Sequence, residues 1–139
     1  MPQTAKPSKT TILLADDHRD FAETVAGLLG RDFEVVGNVS DGRALVKACL
    51  ELKPDVVVTD ISMPGLNGIE AAEQLSKLGS LSKVVFLTIH ADADFVRACL
   101  GIGAMGYVVK SHMTSELVPA IQDALAGHIY VSHRTSREQ

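Results

Sequence analysis

Val56-Val57-Val58-Thr59-Asp60-Ile61-Ser62-Met63-Pro64-Gly65-Leu66-Asn67-Gly68 is the stretch on which the reading of this chain turns. Three valines and a threonine make a continuous apolar, β-branched run, the pattern of a strand covered on both faces. Pro64, Asn67 and Gly68 mark a turn directly after it, and Gly65 supplies backbone angles closed to other residues. Asp60 therefore stands where a buried strand emerges. Three other apolar runs end comparably: Ile12 to Ala15 in Asp16-Asp17, Val84 to Leu87 in Thr88, and Tyr107 to Val109 in Lys110. The four strand ends offer three carboxylates, a hydroxyl and an ammonium.

Outward from these runs, short apolar segments alternate with stretches of helical period, the signature of βαβ units and a mostly parallel sheet. Strands are expected near residues 11–16, 33–39, 55–60, 83–88 and 105–109, the second alternating enough to suit an edge. Five amphipathic stripes follow the strands. They are Phe21, Val25, Leu28 and Leu29; Leu45, Ala48, Cys49 and Leu52; Ile69, Ala72 and Leu75; Phe95, Cys99 and Ile102; and Leu117, Ile121, Ala124 and Leu125. Asp41 and Thr114 are the expected N-caps, and Pro119 should weaken the early turns of the last helix. Right-handed crossovers turn five such units into an α/β, doubly wound, flavodoxin-like (βα)5 sheet of order 2-1-3-4-5. Its switch point lies between strands one and three, so Asp16, Asp17, Asp60, Thr88 and Lys110 converge on one crevice.

With 139 residues, 46 % of them apolar and 4 % aromatic, the chain fits a single core of Val, Leu, Ile and Ala. A net charge of −4 excludes a broad nucleic-acid or membrane footprint, and no apolar run approaches membrane-spanning length. Cys49 and Cys99 lack a CxxC partner, which points away from disulfides and zinc and toward a reducing cytoplasm. Residues 1–9 read as a disordered arm and not as a signal peptide. Gly101-Ile102-Gly103-Ala104-Met105-Gly106 matches G-x-G-x-x-G, but it ends a helix and enters a strand, the reverse of a dinucleotide site, so no nucleotide is expected. The scattered His18, His90, His112, His128 and His133 show no ligand spacing.

Three carboxylates about 5 Å apart repel by roughly 3 kcal/mol per pair at an effective dielectric near 20. One lysine offsets part of that, and a hard divalent cation removes the rest. An all-oxygen site with water-filled positions suits Mg²⁺. A metal, an exposed carboxylate, a hydroxyl and an ammonium are the equipment for in-line phosphoryl transfer, with Asp60 on the central strand as nucleophile.

These residues together, Asp16-Asp17, Asp60 with Met63-Pro64-x-x-Asn67-Gly68, Thr88 and Gly106-Tyr107-x-x-Lys110, resemble the receiver domain of bacterial two-component response regulators over residues 10–127. Asp16-Asp17-His18 and Gly106-Tyr107-Val108-Val109-Lys110-Ser111 lean toward the NarL/FixJ-like branch, which carries a LuxR-type helix-turn-helix. The resemblance implies that Asp60 accepts a phosphoryl group from a sensor histidine kinase. It further implies that Asp17, Asp60 and the Ser62 carbonyl bind Mg²⁺, with Asp16 helping through water, and that Thr88 and Lys110 contact the phosphoryl oxygens. Thr88 and Tyr107 then form the switch that remodels the face of helix four, strand five and helix five. A homodimer formed on phosphorylation belongs to the same set of expectations.

The pattern has departures. Ser111 stands where many receivers have proline, and Ser62 and His90 flank the phosphorylation site. Residues 128–139 read as a tail or the start of a linker, with Thr135-Ser136-Arg137-Glu138 faintly similar to a helix-turn-helix opening. An excised receiver whose DNA-binding output is missing is favoured over a stand-alone one. Two other readings stand beside this one. A haloacid dehalogenase-like phosphatase needs an acid two residues after its nucleophile, where this chain has Ser62, and a phosphorylation-independent interaction module would not require all five polar residues.

Overall fold

The computed structural model describes residues 9–132; the rest of the expected arm and residues 133–139, including Thr135 to Glu138, lie outside the described residues. Strands β1 (Thr11–Ala15), β2 (Glu34–Val39), β3 (Val56–Thr59), β4 (Lys83–Thr88) and β5 (Gly106–Val109) alternate with helices α1 (Arg19–Leu29), α2 (Gly42–Leu52), α3 (Gly68–Lys77), α4 (Ala93–Gly101) and α5 (Met113–Leu125). The sheet is parallel, and these five strands lie in the order β2-β1-β3-β4-β5. The five-stranded expectation is extended by β6 (Tyr130–Val131), which pairs with β5. It falls within the residues read as a tail, because two residues carry no periodicity to recognise.

The apolar runs are continuous because alternate residues serve opposite faces. Ile12, Leu14, Val56, Val58, Val85, Leu87 and Val108 pack with α1 and α5 through Val25, Leu29, Leu117 and Ile121. Leu13, Ala15 and Val57 meet α2 and α3 through Leu45, Cys49, Ala71 and Leu75. Phe86, Tyr107 and Val109 meet Ala72 and Cys99 farther along that second face. Each buried Val, Leu, Ile or Phe among them stabilises the fold by about 1.5–3 kcal/mol. Leu125 leaves the expected stripe and is exposed at the end of α5.

Helix ends follow local chemistry. Asp41 caps α2, its carboxylate accepting from the Ala44 N–H at 2.8 Å, and Asn67 forms a reciprocal capping box with Glu70 at the start of α3. The expected cap at Thr114 is not what forms. A 3₁₀ turn over Lys110–His112 runs straight into α5, so His112 holds the cap position without a side-chain bond and Thr114 lies inside the helix. Pro119 is accommodated within α5; the carbonyl its missing N–H leaves belongs to Ser115, which is exposed and open to water.

The loop after β3 is closely packed against the start of α3. Gly65 adopts a φ of 69°, as its position in the turn requires. Gly68 donates its N–H to the Ile61 carbonyl at 2.7 Å, and a Cβ there would sit 1.9 Å from the Asp60 carbonyl oxygen. Gly68→Ala is therefore expected to destabilise the domain by about 3 kcal/mol, read as a lowered urea midpoint. An unchanged midpoint would mean that α3 does not press on Asp60 as described.

Candidate functional site

Parallel register places the carboxylates. Ala15 pairs with Thr59, and the Asp60 N–H donates to the Ala15 carbonyl at 2.9 Å, so Asp16 and Asp60 leave adjacent strands side by side. Both are buried while Asp17 is exposed. The carboxylate and imidazole ligand atoms of Asp16, Asp17, His18 and Asp60 all lie within 4.8 Å of one another.

Lys110 supplies the opposite charge from the end of β5. Its Nζ donates to Asp16 Oδ2 and to Asp60 Oδ2, each at 2.9 Å, and lies 4.2 Å from the centre of the Phe21 ring, a cation–π contact. Burial alone would lower the Lys110 pKa, but the hydrogen bonds and charges of Asp16 and Asp60 together raise it above its ordinary value. Asp60 Oδ1 is held separately by the Ile61 N–H at 2.7 Å. His18 Nδ1 lies 3.1 Å from Asp16 Oδ1 and 3.2 Å from Asp17 Oδ1.

Thr88, Ser62 and Tyr107 meet through His90 rather than through the carboxylates. The His90 N–H donates to Thr88 Oγ1 at 3.2 Å, and its carbonyl accepts from the Tyr107 hydroxyl at 2.7 Å. Its Nε2 lies 3.3 Å from Ser62 Oγ, and its ring stacks on Phe95 with centroids 4.4 Å apart. The Tyr107 ring is fully buried. Sequence reasoning places Asp16, Asp17, Asp60, Thr88 and Lys110 in one crevice; the structure brings Asp16, Asp17, Asp60 and Lys110 together, while the Thr88 hydroxyl is engaged by the His90 N–H instead. Sequence reasoning gave no role to His18 beside the carboxylates, to Phe21 under the lysine, or to His90 as the connecting residue. Only adjacency to Asp17 and the two-residue step from Thr88 signalled the two histidines.

Residues 12–122 match the response regulator receiver domain model. The chain belongs to the response regulator receiver family. It is 35 % identical over 133 residues to the transcriptional regulatory protein DegU of Brevibacillus brevis, covering 94 % of this chain and 56 % of that protein. With the transcriptional regulatory protein LiaR of Bacillus subtilis it shares 37 % over 118 residues, 84 % of this chain and 56 % of LiaR. The crystal structure of a LuxR-family two-component response regulator from Aurantimonas superposes with a TM-score of 0.85 at 32 % identity, covering 94 % of this receiver and 93 % of that chain. These relatives bear out the NarL/FixJ-like branch, and the receiver spans just over half the length of the two regulators.

Among the described residues no helix is long and apolar enough to cross a membrane. Receiver domains generally bind Mg²⁺ at an acidic pocket, and the described residues hold an acidic cluster of Asp16, Asp17, His18 and Asp60.

Burial also shifts groups elsewhere in the domain. It pushes the Cys99 thiol up to about 12. It raises Tyr107, reinforced by Cys99, Asp92 and Asp60, and raises Tyr130, reinforced by Glu116 and Asp123. With folded values raised, the stabilisation from both tyrosines is complete below the unfolded value of about 10 and is lost as pH rises past it. Tyrosinate absorbance is therefore expected to grow together with the loss of helical circular dichroism above about pH 10. Ionisation of both tyrosines near that pH in a chain that stays folded would contradict the burial of Tyr107.

Proposed function

We propose that Asp60 is the phosphoacceptor of this receiver, taking a phosphoryl group from the phosphohistidine of a sensor histidine kinase. The observation that carries the reading is the Lys110 ammonium held 2.9 Å from both Asp16 and Asp60. A cation there offsets the negative charge that Asp16 and Asp60 bring together. As the P–N bond of phosphohistidine breaks, an Asp60 oxygen forms the new O–P bond and Lys110 follows the charge onto a phosphoryl oxygen. Thr88 Oγ1 already accepts from the His90 N–H, so its own proton is available for a second phosphoryl oxygen.

The donor set fits Mg²⁺, being three carboxylates within reach of one another with oxygen as the donor a hard cation prefers. Asp17, Asp60 and the Ser62 carbonyl would hold the ion, with Asp16 acting through water. Bound there, Mg²⁺ supplies charge neutralisation for the carboxylates and for the phosphoryl group.

The receiver works as a switch rather than as an enzyme with turnover, because Ser62 stands where a phosphatase would carry its general acid. Pulling Thr88 toward a phosphoryl group draws on His90, whose carbonyl holds the Tyr107 hydroxyl, and so reaches the face formed by α4, β5 and α5. The output is transcriptional control through a DNA-binding domain, as the regulator names DegU and LiaR suggest. Phosphorylation-dependent homodimerisation is one route to it, and the setting is the cytoplasm.

Incubation with acetyl phosphate and Mg²⁺ is expected to add a single phosphoryl group by intact mass, with no adduct on Asp60→Ala. Absence of an adduct on the folded native chain would sink the reading in favour of an interaction module. Sustained hydrolysis of a phosphate ester would favour the phosphatase.

Lys110→Met leaves two buried carboxylates without their cation and is expected to cost about 3 kcal/mol without Mg²⁺. Because Mg²⁺ replaces the missing charge, it should raise the mutant's urea midpoint more than the native one. Equal Mg²⁺ effects on both proteins would place the ion elsewhere.

A further inference from the structure

The described residues bury a second polar cluster, on the side of β5 away from β4. Glu116 of α5 and Ser132, directly after β6, are both buried. The Ser132 N–H donates to the Tyr107 carbonyl at 2.8 Å, and Ser132 Oγ accepts from the Val109 N–H at 2.9 Å. The same hydroxyl donates to Glu116 Oε1 at 2.5 Å, and the Tyr130 hydroxyl is hydrogen-bonded to Glu116 as well. The directions are forced. A backbone N–H can only donate, so Ser132 Oγ must accept from Val109 and send its one proton to the carboxylate.

A carboxylate is a costly way to close an apolar sheet edge, since burying it requires full hydrogen bonding. What it secures is geometry. Backbone pairing of β6 with β5 runs through Tyr107 and Val131, and beyond it the Ser132 hydroxyl takes over, fixing Val109 in place. Val109 is the residue before Lys110, whose ammonium must reach Asp16 and Asp60.

We infer that Ser132 and Glu116 are positioning residues for Lys110, acting through the Val109 N–H, and that β6 docking and phosphoryl acceptance at Asp60 favour each other. This deepens the phosphoacceptor reading and rests on it. Holding β6 in place holds Lys110 on the pocket. By reciprocity, a phosphoryl group that engages Lys110 tightens β6.

The test has two arms. In the first, acetyl phosphate labelling rates are compared for the native chain, Ser132→Ala and Ser132→Thr, at a temperature where each is fully folded by circular dichroism. Ser132→Ala is expected to label about tenfold more slowly, with Ser132→Thr, which keeps the hydroxyl, near the native rate. A Ser132→Ala variant that loses stability but labels at the native rate would show a merely structural cluster and overturn the inference.

The second arm uses the native chain alone and decides the matter if the alanine variant does not fold. Hydrogen exchange at the Val109, Tyr130 and Ser132 amides is followed with and without Mg²⁺ and beryllofluoride. Protection is expected to rise about tenfold; unchanged exchange on a chain that has taken up beryllofluoride overturns the inference while leaving the phosphoacceptor intact. A native chain that takes neither acetyl phosphate nor beryllofluoride refutes both.

Discussion

The crowding of negative charge at the carboxyl ends of β1 and β3 is the constraint around which the rest is arranged. The register that buries Ile12, Leu14, Val56 and Val58 in one layer also leaves Asp16 and Asp60 next to each other. Repulsion of roughly 3 kcal/mol per carboxylate pair is small beside the sum over a core whose large apolar side chains each contribute about 1.5–3 kcal/mol. The sheet can therefore impose the cluster, and Lys110, arriving from two strands away, makes it tolerable.

The opposite end of the same two strands shows what a carboxylate does when no charge has to be accommodated. Asp55, just before β3, accepts from the Thr11 N–H at 2.9 Å, while the Thr11 hydroxyl accepts from the Asp55 N–H at 3.0 Å. That arrangement is an exposed closure between β1 and β3 with neutral partners. At the carboxyl end, buried Asp16 and Asp60 share one cation, so the two ends differ in electrostatic strain and not in backbone design.

Most of the fold was legible because its strands are continuous apolar runs and its helices keep a regular stripe. The carboxylate crevice was legible because topology alone brings the ends of β1 and β3 together. What escaped has a common cause. His90 acts largely through its backbone N–H and carbonyl, which no side-chain identity announces. β6 is two residues long, and its pairing depends on where α5 delivers the chain. Thr114 has the right chemistry for a cap, but the 3₁₀ turn starting at Lys110 enters the helix two residues too early for it to serve. Phe21 belongs to the expected stripe of α1, yet its contact with Lys110 requires knowing that β5 ends above that helix.

β5 is where the two polar systems of the molecule meet. β1 and β3 are each paired on both sides with strands of four to six residues, so their backbones have little freedom to respond to a new charge. β5 has β4 on one side and only a two-residue strand on the other. Its neighbouring residues point their functional groups apart: the Tyr107 hydroxyl to His90, the Val109 N–H to Ser132 and the Lys110 ammonium to the carboxylates. Local opening is easiest where pairing is shortest, so a change of charge at Asp60 is felt first along β5. The strand that supplies the compensating cation is, for that reason, also the one best placed to report its displacement.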